Sequence, residues 1–128
     1  MKKLPFSAAV AKSRRIRAIY HQLELKHHGS EWTIEEDALA FLTDAALVGR
    51  LAMAQQGRWP LGKDPAEDLQ LKLGECMWWL IALAARMEID SEEALDSFLA
   101  KTERQLSESL RTIAPRTRAK RLKRKHSL

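Results

Sequence analysis

Apolar residues in this chain recur three and four positions apart, with short polar breaks between the runs, and nowhere alternate as a strand requires. The pattern predicts four helices. The first covers about Phe6 to His27, with Ile16, Ile19, Tyr20 and Leu23 on one face and Gly29 as its stop in HHGSEW. The second covers Ile34 to about Gln56, striped by Ala38, Phe41, Ala45, Val48 and Ala52. In the third, Pro65 to about Glu88, the residues Leu69, Leu73, Cys76, Leu80, Leu83 and Met87 keep a strict three-four alternation. The fourth covers Ser91 to about Ile113 through Leu95, Leu99, Thr102, Leu106 and Leu110, and Pro115 closes it.

The start signals agree with these runs. Thr33-Ile34-Glu35-Glu36 spells a capping box. Asp64-Pro65-Ala66-Glu67 supplies an N-cap, a proline at the first helical position and an acid in the first turn. Asp90-Ser91-Glu92-Glu93 repeats the capping logic. GRWPLGKDP is the longest connection, so sequential helices are expected to run antiparallel. The expected fold is an all-α, four-helix up-down bundle in one domain over residues 1–113. A basic, disordered tail is expected over 114–128.

Composition narrows the class further. At 128 residues the chain has room for one core, and its five glycines and four prolines leave helices uninterrupted. The net charge of +5 belongs to the tail: APRTRAKRLKRKHSL holds seven basic residues and no acid, leaving 15 basic against 17 acidic residues elsewhere. That tail suits either salt-sensitive nucleic-acid binding or a solubilising extension. No apolar run approaches the ~20 residues of a membrane span, and MKKLPFSAAVAKSRR does not read as a signal peptide. With one cysteine and no internal disulfide to form, a reducing cytoplasmic setting is expected.

The chemistry centres on KLGECMWWL, where Glu75 stands one turn before Trp78 and Trp79 in an otherwise apolar stretch. Asp44 holds the corresponding place on the second helix, three residues after Phe41 and four before Val48. In an antiparallel pair the two acids face each other, while Asp37 and Asp68 lie about 10 Å from them in opposite directions. The alternative for Asp44 and Glu75 is a structural salt bridge to Lys72 or Arg50. Trp78 and Trp79 suit core or dimer packing, and Cys76 suits an inert small hydrophobe on the core stripe. His27 and His28 adjoin a helix end and lack partners at zinc spacing.

LGECMWWLIALAARMEIDSEEAL, residues 73–95, resembles the MazG-like all-α nucleoside triphosphate pyrophosphohydrolases. It follows their progression of Leu-Gly-carboxylate, Trp-aromatic-Leu, Gly-Ile-Asp and Glu-Glu-Ala, with Glu88 replacing the Gly. ALAFLTDAALVGRLAMA is similar in placement to the family's first metal-binding helix, and the resemblance covers about residues 30–106. It implies a MazG-like bundle that assembles as a homodimer or homotetramer. It also implies Mg²⁺, with Mn²⁺ as the substitute, held by ExxE and ExxD pairs to hydrolyse an NTP or dNTP to the monophosphate and pyrophosphate.

Carried over by position, the first pair falls on Asp44 and Leu47 and the second on Lys72 and Glu75. Asp44 and Glu75 are therefore the catalytic and metal-binding candidates. Lys72 stands where its ammonium can fill the vacated metal position, either offering phosphate a fixed cation or closing the pocket. The resemblance also assigns substrate contacts to Trp32, which precedes the first metal helix, and to Lys101 and Arg104 on the last helix. The Asn often found beside these last two is Thr102 here. The expected function is nucleotide pyrophosphohydrolysis, weakened by the missing half of the acidic motif. The alternative is a non-catalytic relative that binds nucleotide or a protein partner.

Overall fold

The computed structural model describes the backbone of residues 3–126 and the side chains of residues 3–113. Among these residues it holds four α-helices and no strand: α1 (Phe6–His28), α2 (Ile34–Gln55), α3 (Ala66–Arg86) and α4 (Ser91–His126). No helix is long and apolar enough to cross a membrane among the described residues. The chain divides into two compact units, residues 1–91 with α1 to α3 and residues 92–128 with α4. The helix expected to close at Pro115 instead runs on through that residue to His126, while the side chains of the tail expected over 114–128 lie outside those described.

Helix ends follow the capping chemistry. Thr33 Oγ1 accepts from the Glu36 N–H at 3.1 Å, and Glu36 Oε1 accepts from the Thr33 N–H at 3.1 Å, completing the box. Gly29 ends α1 in the left-handed region at φ 77°, donating to the Leu25 carbonyl at 3.0 Å. At the start of α3, Asp64 Oδ1 accepts from the Ala66 N–H at 3.0 Å, with Pro65 just outside the helix. The chain leaves α3 through Glu88, a non-glycine residue at φ 58°, and the Ile89 N–H closes back on the Ala84 carbonyl at 2.8 Å.

In the first unit α2 and α3 run antiparallel, as the pairing of Asp37 with Arg86 and of Asp44 with Lys72 requires. The α3 stripe needs a correction. Leu69, Cys76 and Leu83 point inward as expected, but their companions are Lys72, Trp79 and Arg86 rather than Leu73, Leu80 and Met87. Both sets share the three-four spacing, so the pattern favoured the apolar one. The acids of α2 decided otherwise: Asp37 and Asp44 lie on that helix's inner face, and cations on α3 answer them.

α1 departs further from expectation. Ser13 and Arg17 are its buried residues, His21 and Glu24 extend the same face, and Ile16, Ile19, Tyr20 and Leu23 are exposed. The helix turns its polar side to its neighbours. Trp79, Ala82 and Leu83 are the buried apolar residues described, so ion pairs share the centre of this unit with a small hydrophobic cluster.

Candidate functional site

Asp44 on α2 and Glu75 on α3 meet, and Lys72 stands between them. Its ammonium lies 3.2 Å from Asp44 Oδ1 and 2.7 Å from Glu75 Oε1. Asp44 Oδ2 accepts a hydrogen bond from Trp79 Nε1 at 2.8 Å, so both of its oxygens are engaged. The hydrogen bond to Glu75, followed by that to Asp44, raises the Lys72 pKa above its ordinary value. Burial pushes the Cys76 thiol up as well, with Asp44 and Glu75 adding to the effect. Arg50, the other partner considered for these acids, instead stacks over Trp59 at 3.8 Å and donates to its carbonyl at 2.7 Å.

A divalent cation fits this arrangement poorly. Mg²⁺ asks for several oxygen ligands in octahedral order. Here two carboxylates already share one ammonium, and no group of three or more His, Cys, Asp or Glu side chains able to hold a metal occurs among the described residues.

A second charged cluster sits deeper, and the sequence reading missed it. Asp37 has no accessible surface. Arg17 grips it with two bonds, Nε to Oδ2 at 3.1 Å and Nη2 to Oδ1 at 2.7 Å, while Arg86 Nη1 donates to Oδ2 at 2.8 Å. Arg17 also holds Glu24 through Nη1 at 2.8 Å, and Glu24 Oε1 accepts the Trp32 N–H at 2.8 Å. Arg86 Nη1 reaches the Trp32 carbonyl at 2.9 Å. Together these bonds tie α1, the segment before α2, α2 and α3 through two guanidiniums, those of Arg17 and Arg86.

Desolvation opposes the charge on Arg17, yet the hydrogen bonds it donates to Glu24 and Asp37 outweigh it and raise its pKa. Burial likewise opposes ionisation of Glu24, but bonds from Arg17 and the Trp32 N–H hold its carboxyl below the ordinary range. Two sequence signals point to this cluster. Ser13, Arg17, His21 and Glu24 keep their own three-four spacing on α1, and Asp37 stands one heptad before Asp44.

Beside this cluster a cavity of about 380 Å³ opens between α1 and α3, with Trp32 on its edge. Tyr20, Trp78 and Trp79 supply its ring walls, and Glu24 and Glu75 its acids. Tyr20 and Trp78 lie 5.6 Å apart between ring centroids and Trp78 and Trp79 4.6 Å, tilted by 51° and 55°. Trp32, expected to contact substrate, is among the residues that line this cavity. Lys101 and Arg104 are exposed side chains on α4, in the second unit.

The chain matches no family model, no curated protein and no solved structure.

Proposed function

We propose that this protein is a non-catalytic relative of the MazG-like pyrophosphohydrolases, a helical protein that binds a small ligand without hydrolysing it. The single observation carrying the reading is the Lys72 ammonium between Asp44 and Glu75. It gives each acid a fixed partner of opposite charge, and Trp79 takes the remaining oxygen of Asp44. A hydrolase of this kind needs oxygen atoms free to gather metal and to activate water. The pair is instead built as a closed structural bridge. The aromatic cavity next to it, with Trp32 at the edge, remains as a ligand site, and nucleotides are the ligand class to which the resemblance points.

The test is pyrophosphate release from a panel of NTPs and dNTPs with Mg²⁺ or Mn²⁺, run beside thermal melts with the same nucleotides. No turnover is expected, and a bound nucleotide raises the melting temperature with the logarithm of its concentration once that exceeds Kd. Weak hydrolysis is the competing reading, favoured by the partial exposure of Glu75 (43%), which leaves Lys72 open to displacement by a metal ion. Metal-dependent turnover abolished by Glu75→Ala would establish that reading and sink ours.

A further inference from the structure

We propose that the cavity between α1 and α3 is a site for a small organic cation bearing an alkylated ammonium group. The inference rests on the reading of this cavity as a ligand site and replaces its expected anionic occupant with a cationic one.

The walls come first. Trp78 Nε1 donates to the Ser13 carbonyl at 3.3 Å and Trp79 Nε1 to Asp44 at 2.8 Å. Both indole donors are thus committed inside the protein, and these tryptophans offer the cavity ring surface rather than hydrogen-bond donors. Their mutual tilt, and that of Tyr20, turns three rings of different orientation toward one space. Aromatic faces carry partial negative charge and attract cations, most strongly where water is displaced. The protein already uses this chemistry at the same wall: the Arg17 guanidinium carbon lies 5.9 Å from the Trp79 ring centroid.

Charge points the same way. Asp37, Glu24, Asp44 and Glu75 are four carboxylates, and Arg17, Arg86 and Lys72 are the three cations that answer them. Lys72 is shared between two of these acids, and Glu75, the most exposed of the four, lines the cavity. A phosphate entering here meets the Arg17 guanidinium, already held by Glu24 and Asp37, and the imidazole rings of His27 and His28. An alkylammonium meets three rings and the partly exposed Glu75 carboxylate, and its alkyl groups match an apolar wall that would strip water from a bare metal ion at a cost. The volume of about 380 Å³ accepts such a head together with a short chain.

The experiment uses the full chain and intrinsic tryptophan fluorescence, read beside thermal melts. Three probes are titrated: choline, its neutral isostere 3,3-dimethyl-1-butanol, and ATP with a chelator present. Choline is expected to give a saturable change and to bind at least about fivefold more tightly than the neutral isostere. Tyr20→Ala, an exposed position, and Glu75→Gln should each weaken choline several-fold while circular dichroism shows the helices retained. Equal affinity for choline and its isostere overturns the proposal, because shape alone then explains binding. Saturable binding of ATP without choline overturns it too, while sustaining the nucleotide reading above. No response to any probe overturns both the cation proposal and the cavity's role as a ligand site.

Discussion

Asp37 has no accessible surface, and its two oxygens receive three nitrogen donors from Arg17 and Arg86. Removing its charge leaves a guanidinium that is 4% exposed with Glu24 as its remaining carboxylate. Asp37→Asn should therefore cost roughly 3–5 kcal/mol in urea unfolding, the usual penalty for stranding half of a buried pair. Glu24 adds a pH dependence. Its folded pKa lies below the unfolded value of about 4.3, so its contribution is complete above that value and lost as pH falls through the folded one. The melting-temperature gap between wild type and Glu24→Gln should accordingly shrink as pH drops below about 4. At the paired acids, Lys72→Glu places a third carboxylate beside Asp44 and Glu75 and should confer Mg²⁺-dependent thermal stabilisation that the parent lacks. That Asp44 and Glu75 share one partner was legible because their helical register sets them opposite each other on antiparallel helices. Arg17 was not, because a long charged side chain on a helix that also carries Ile16, Ile19 and Leu23 gives the apolar face first claim on the interior.

Among the elements, α2 and α3 show what sequence periodicity can and cannot convey. Their existence, antiparallel order and caps follow from local chemistry, and Thr33→Ala should cost about 1 kcal/mol in urea unfolding by removing one half of the box. The rotation of α3 about its axis was harder to read. Leu69, Cys76 and Leu83 fit two neighbouring stripes, and only the acids across the seam select the one that includes Lys72 and Arg86. The turn after α3 holds a different lesson. Glu88 occupies the place where the resembling family has glycine, and at φ 58° its side chain bears the strain a glycine would avoid. Glu88→Gly should stabilise the chain by about 1 kcal/mol, measured as a higher urea midpoint at unchanged slope.

On the scale of the whole molecule, Trp79, Ala82 and Leu83 make a small apolar centre for a unit of this length. Ile19 on α1 and Leu71 and Met77 on α3 are all more than half exposed. We expect self-association, which sedimentation velocity across a concentration series will register as a species of at least twice the chain mass, 14.6 kDa. The reversed polarity of α1 also sets how that helix comes away. It is fastened to α2 largely by one guanidinium gripping one carboxylate, and the denaturant guanidinium chloride delivers that same headgroup in molar excess. Guanidinium thus acts on α1 as a competitive ligand for Asp37 as well as a general solvent of buried surface, whereas urea, being uncharged, acts only in the second way.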